Sequence, residues 1–340
     1  MTIYLLEGFD SYGADETKMD VHTKYPNSSG SFQNATPDTL SGSGYYLELG
    51  YRQPLEIGIT PPSSGTVVVG YHVYMPSTVN SSDLIQMHGA SGFGNYHVKI
   101  NPNAGGYLEI RDATGTLKAT ASNPLNTDTW FFIEVKLVLN TSVSVRVNGE
   151  EVVSDATGDY QRDSEVIEVV RLYNASTNTY MIDNLYVADS FLGEMVIHTV
   201  VPDTDGTHTD FDPSTGSDHY ALVDEIPPVD TDYNEGSALN DKESYTGTPS
   251  PSLVGAIKGV QVNNRVVKTG QLATKIKGLV RTGGSDYTTD EEYLSAGATL
   301  VPAIWENNPN TGSPWTPAEA EAVEFGLQIT GLSTTTTTTV

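Results

Sequence analysis

Apolar side chains recur at every second position through most of the first 190 residues, and that period decides what the chain can fold into. Between residues 129 and 139, Phe131, Ile133, Val135, Leu137 and Leu139 fall on one side of an extended backbone, with Phe132, Glu134 and Lys136 on the other. Strand side chains alternate between two faces, whereas a helix repeats every 3.6 residues, so this pattern buries a continuous face only as a strand. The same alternation marks residues 44–49, 66–75, 95–100, 107–112, 142–147, 165–172 and 180–187. Turn residues separate the runs. Ala113-Thr114-Gly115 leads into a return strand at 117–120. Asn148-Gly149 joins 142–147 to 150–153 as a hairpin, because both residues tolerate positive φ. About ten strands with turns at this spacing predict an all-β sandwich over residues 1–192.

The texture changes near residue 201. Residues 203–243 hold twelve acids and one base, interrupted by Gly206, Pro213, Gly216, Pro227, Pro228 and Gly236. The expected division is a sandwich over 1–192, an acidic connecting region over 193–250 and a second β-rich domain over 251–332, to which the connecting region could belong. Strands are expected at 254–262, 272–281 and 299–305, with Asn263-Asn264 read as a turn. Thr316-Pro317-Ala318-Glu319 carries the pattern of a capping box with proline at the first helical position. Residues 323–329 alternate as a last strand. The threonine-rich tail, 333–340, reads either as a disordered end or as an arm that adds a strand to a neighbouring sheet.

Three segments resemble the concanavalin-A-like/laminin-G class. Residues 130–136 match its strand beginning near a tryptophan, 145–153 its Asn-Gly hairpin, and 180–187 its closing strand, where Asp183-Asn184 stands for the paired aspartates of the class. The resemblance implies a jelly-roll sandwich. Residues 191–197, 201–206, 217–225 and 308–326, with the opening Glu7-Gly8-Phe9-Asp10, are similar to a pattern in virion proteins of tailed phages. There a lectin-like domain precedes a second β-rich one. That similarity implies a structural surface component, on the head or the tail and its fibres, with other virion proteins as partners and a homo-oligomer, trimeric by preference. The alternative is a module that grips host glycan.

Charge and composition exclude other occupations. The formal net charge is −26, which repels phosphate backbones and anionic membranes, so no nucleic-acid partner is expected. Cysteine is absent, which removes disulfides and thiolate chemistry. No apolar run approaches the roughly 20 residues that cross a bilayer, and the opening residues lack a basic signal region, so no membrane insertion is expected. The expected setting is synthesis in a host cytoplasm and release by lysis.

The candidate site residues are few. Asp203, Asp205, Asp210 and Asp212 lie around a D-x-D-G core that suits calcium; the alternative is a solvated acidic turn. Asp183 is a separate calcium candidate, or the acceptor of a turn hydrogen bond. Tyr4, Tyr12, Tyr25 and Tyr51 are candidates for glycan stacking or an interface, since tyrosine offers flat amphipathic area. Paired carboxylates for glycoside hydrolysis need a shared strand face. Glu165 and Glu168 diverge, as do Glu150 and Glu151, while Glu48 and Glu134 stand alone, so no enzyme is expected.

Overall fold

The computed structural model describes residues 1–13, 25, 33–37, 45–75, 84–89, 95–175, 179–249, 251–269, 273–294 and 297–333. It is all-β. Contacts divide the described residues into two compact units, one up to Ile197 and one from His198 on. The segment over 198–249 belongs to the second unit, where it supplies sheet strands. The tail beyond 333 lies outside the described residues.

The first unit holds β1 (Ile3–Glu7), β2 (Gln33–Pro37), β3 (Tyr45–Leu49), β4 (Pro54–Gly58), β5 (Thr66–Met75), β6 (Ile85–His88) and β7 (Tyr96–Pro102). It continues with β8 (Tyr107–Arg111), β9 (Leu117–Pro124), β10 (Thr129–Val138), β11 (Ser142–Val147), β12 (Glu150–Asp155), β13 (Val169–Tyr173) and β14 (Tyr180–Ala188). Two sheets form. One has the order β12-β11-β10-β5-β14-β3-β2, with β1 also on β14; the other runs β4-β13-β6-β7-β8-β9. Leu47, Leu49, Val69, Tyr71, Val73, Ile133, Val135 and Val145 from the first sheet are buried, as are Leu55, Ile57, Ile85, Met87, Val98, Ile100, Ile110 and Val170 from the second. These alternate positions form the sandwich core, and burial of each large side chain stabilises by about 1.5–3 kcal/mol. The Asn148-Gly149 hairpin forms with positive φ at both residues. The alternation over 165–168 does not become sheet: β13 begins only at Val169.

The face of β10 turned from the core is not solvated either. Phe132 and Glu134 are 1% exposed. The chain leaving β14 crosses this face as a strap. Gly193 N–H donates to Glu134 Oε1 at 2.9 Å, as does the Tyr186 hydroxyl, which itself accepts from Leu192 N–H. Phe191 lies under the Arg146 guanidinium at 3.8 Å, Glu194 meets His72 at 3.1 Å, and Ile197 N–H donates to Asn184 Oδ1. Period-two patterning shows two faces and is silent about a non-strand segment that seals the second.

The second unit holds β15 (Thr204–Thr209), β16 (Asp212–Pro213), β17 (Asn234–Glu235), β18 (Lys242–Thr246), β19 (Val260–Lys268), β20 (Ala273–Thr282), β21 (Ser285–Thr288), β22 (Glu292–Tyr293), β23 (Gly297–Trp305), α1 (Pro317–Glu321) and β24 (Glu324–Ser333). Its main sheet runs β15-β18-β24-β20-β21, with β22 on β20, and β19 pairs with β23 as a ribbon. Asn263 and Asn264 do not turn: they sit mid-strand in β19 opposite Pro302 and Val301. Their alternating neighbours Val262 and Leu300 are buried, and that packing overrides the turn preference of asparagine. Pro302, which has no N–H to give, lies in β23, whose one partner among the described residues is β19. A core of Val262, Val280, Ala303, Trp305, Trp315 and Val323 holds ribbon and sheet together. The capping box forms: Thr316 accepts from Glu319 N–H and Glu319 accepts from Thr316 N–H.

Candidate functional site

The outer face of the six-stranded sheet carries a polar array that the alternation of its strands dictates. On β4 Leu55 and Ile57 point to the core, so Glu56 points away; the same rule turns out Arg171, Gln86, Lys99 and Arg111. The register sets these five side by side. Glu56 opposes Arg171, Arg171 opposes Gln86, Gln86 opposes Lys99, and Lys99 opposes Arg111. Neighbouring strands lie about 4.8 Å apart, so the row spans roughly 19 Å. A second row on the same face carries Val169, His88 and Tyr96. A third carries Asn101, Glu109 and Thr120.

The array is largely shielded from bulk water, yet it is polar. Glu56, Gln86, His88, Asn101, Glu109 and Arg171 are all buried. Arg171 Nε donates to Glu56 Oε1 at 2.7 Å, Nη2 donates to the same oxygen, and Nη1 reaches Gln86 Oε1 at 3.5 Å. Gln86 Oε1 also meets His88 Nε2 at 2.9 Å. Arg111 donates to Glu109 at 2.6 Å, and Asn103 Nδ2 donates to the other Glu109 oxygen. Burial, with the nearby Arg171 charge, pushes His88 down to about 3, so its imidazole is neutral at physiological pH. His88 is also held by the Asn95 backbone. Among the described residues the buried Asn101 Oδ1 of this face has no hydrogen-bond partner. Such atoms cost about 1–3 kcal/mol each when left unpaired, and are commonest where a ligand or water completes them.

The tyrosine candidates separate. Tyr12 and Tyr25 are core residues: both hydroxyls donate to Glu7 Oε2, at 2.7 and 2.9 Å, and both rings are buried. A carboxylate on β1 draws them inward, so neither offers a ring to a ligand, contrary to expectation. Tyr4, on β1, is half-buried. Tyr51 is 51% exposed, its ring 4.9 Å from the Arg52 guanidinium. Arg52 N–H donates to Asn174 C=O, which fastens the Tyr51 turn to the end of β13 and hence to the rim of the polar face.

The calcium candidates do not converge. Asp203 accepts from Thr248 N–H, Asp205 from His219 and Tyr220 N–H, and Asp210 from Lys242 N–H, while Asp212 is exposed in β16. Each carboxylate is turned to a different stretch of backbone. Asp183 is buried inside β14, at a bulge rather than in a turn, and accepts from Asn184 N–H at 2.6 Å. No group of three or more acidic or histidine side chains able to hold a metal occurs among the described residues.

Asp205 instead belongs to a buried network in the second unit. Glu243 accepts from Phe211 N–H and contacts His219 Nδ1 at 3.0 Å, and burial lifts its carboxyl to about 7. A carboxyl raised in the folded state favours folding while protonated. That contribution is complete below the unfolded value of 4.5 and is lost as pH rises through about 7. The second unit is therefore expected to lose roughly 2–3 kcal/mol between pH 4.5 and 8. Glu243→Gln is expected to flatten the dependence, read by urea denaturation at each pH. Asp286 acts in a separate window. Lys242, His208 and Arg281 hold its carboxyl well below the usual range, so its contribution stands above pH 3.8 and is lost in strong acid.

Sequence reasoning missed Glu56, Gln86, His88, Lys99, Asn101, Arg111 and Arg171. The available signal was the polar member of each alternating pair.

No known protein family and no curated protein matches the chain. Solved structures similar to it include a cellulose induced protein, at 18% identity over 56% of this chain and 100% of that one, TM-score 0.42. An endo-β-1,4-glucuronan lyase from the fungus Trichoderma reesei aligns at 10% identity over 56% and 98%, TM-score 0.41. An alginate lyase from a Chlorella virus aligns at 12% over 47% and 89%, TM-score 0.38. At these values function rests on the geometry of the chain itself.

Proposed function

We propose that the first unit is a glycan-binding sandwich and that the outer face of its six-stranded sheet is the binding surface. The observation that supports it most is the polar array, with Asn101 Oδ1 left without a partner among the described residues on a face the core does not use. The opposite outer face is closed by the strap over 191–197. Sugars present hydroxyls that both donate and accept, and a sheet face with amides, a neutral imidazole and charged groups at fixed spacing answers them. Tyr51 at the rim adds an apolar surface for a sugar ring. The role is binding and not turnover.

A glycan array with purified protein is expected to give saturable binding. Asn101→Ala is expected to weaken it about tenfold, as loss of one buried hydrogen bond implies, with the melting temperature unchanged or higher. Absence of saturable binding across the array defeats the proposal.

The setting we propose is the surface of a tailed-phage virion, as an oligomer and by preference a trimer, beside other virion proteins. The residue pattern over 191–197, 201–206, 217–225 and 308–326 supports it. Among the described residues no helix is long and apolar enough to cross a membrane. Mass spectrometry of purified particles tests the setting, and light scattering of the purified chain tests the oligomer.

A further inference from the structure

A cavity of about 470 Å³ opens on the second unit, lined by residues of β15, the β20–β21 hairpin, α1 and β24. Its volume falls in the range of small-molecule sites, about 300–1,000 Å³. Small residues leave the room. The hairpin turns through Gly283-Gly284, with φ of +59° and +78°, a geometry that glycine adopts freely. Ala318 and Ala322, at the two ends of α1, also line the cavity, and both are exposed.

The charged members are placed by register. Arg281 on β20 opposes Glu324 on β24. Their side chains are 24% and 19% exposed, so a ligand can reach both. Arg281 Nε stands 3.7 Å from Glu324 Oε1, beyond hydrogen-bond length. Nη1 is spent on Asp286 Oδ1 at 2.8 Å, while Nη2 donates to no described residue. Glu324 accepts from the Thr207 N–H, the Thr207 hydroxyl and the Ser244 hydroxyl. Only one of those three reaches Oε1, so that oxygen can take another donor. Glu319, the second acid of the lining, holds the Thr316 N–H and hydroxyl in the capping box. An anionic ligand would meet both lining acids. An ammonium would be repelled by Arg281, which already stands beside Glu324. A hydroxyl answers both signs, because it accepts from a guanidinium and donates to a carboxylate.

We infer that this cavity binds a neutral sugar unit, with its hydroxyls bridging the open Arg281–Glu324 pair and its C–H face resting on Ala318 and Ala322. The site belongs to the second unit alone and does not depend on the reading of the first.

The test is amide NMR of the full chain titrated with three neutral sugars: maltotriose, cellotriose and triacetylchitotriose. Trigalacturonate and deacetylated chitotriose serve as the anionic and cationic probes. At least one neutral trisaccharide is expected to shift the Gly283 and Gly284 amides saturably, and to bind at least tenfold tighter than either charged one. Ala318→Phe fills the cavity from an exposed position, so it is expected to abolish these shifts with the melting temperature unchanged. Ala322→Leu, from the far end of α1, is expected to do the same, so the result does not hang on one variant folding. Arg281→Lys keeps a cation beside Asp286 but removes the guanidinium fork, and is expected to weaken binding about tenfold. Neutral binding that persists in both cavity-filling variants would overturn the inference. So would a charged trisaccharide bound as tightly as the neutral ones, or silence of both glycine amides with every sugar. Shifts confined to the Asn101 amide would overturn it while leaving glycan binding by the first unit intact.

Discussion

Arg171→Ala is expected to destabilise the first unit by about 3–5 kcal/mol, because it strands the Glu56 carboxylate in a buried position with its partner gone. The side chains of the pair are 4% and 6% exposed, and Glu56 takes both the Nε and the Nη2 donors of Arg171 on one oxygen. The pair itself is not a large net source of stability. Desolvation of two charges offsets most of their attraction, so replacing both, as in Arg171→Met with Glu56→Leu, is expected to cost far less than the single change. Urea denaturation followed by circular dichroism at pH 7 measures both. If the single and double variants unfold at the same midpoint, the ion pair is not what holds this face of the sheet.

Gly326→Ala is expected to be the most damaging small substitution in the second unit, at about 3 kcal/mol or more. Gly326 lies mid-strand in β24, opposite Ser244 on one side and Leu279 on the other. A Cβ there would stand 1.9 Å from the Glu243 carbonyl oxygen, a backbone atom held in the ladder. Relief requires β18 to move, and Glu243 anchors both Phe211 and His219. Gly284→Ala makes the contrast. It has nothing within 4 Å but a φ of +78°, so its cost is the left-handed penalty alone, about 1–2 kcal/mol. Denaturation followed by the fluorescence of Trp305 and Trp315, in a Trp130→Phe background, reads the second unit. A Gly326→Ala cost no greater than that of Gly284→Ala would mean the strands separate without penalty.

What was legible in the sequence was local. The Asn148-Gly149 hairpin and the Thr316 capping box need only neighbouring residues, and both form as read. Strand existence was legible for the same reason, since period two is a property of adjacent side chains. The misreadings come where distant packing decides. Asn263-Asn264 has the chemistry of a turn, but β23 lies alongside and pulls it straight. Tyr12 and Tyr25 sit in segments that look like loops, and the Glu7 carboxylate on β1 takes both hydroxyls into the core.

The polar row proposed as the binding face was not legible because its order is not the order of the chain. Glu56 and Arg171 are 115 positions apart and become neighbours only because β13 inserts between β4 and β6. Each polar residue taken alone is an ordinary outward strand position. Only the register turns five of them into a row, and register is settled by which apolar faces meet in the core.

The strap over 191–197 also relocates the end of the fold. The last ladder stops at Ala188, yet Phe132, Glu134 and Tyr186 remain dry only because nine further residues follow. Excision at the final strand would bare an aromatic surface around an acid that had lost its amide donor, a sticky wound on an otherwise finished particle. The sandwich therefore closes at Ile197, and a tug on the chain beyond it must first peel that cover before any strand is loaded.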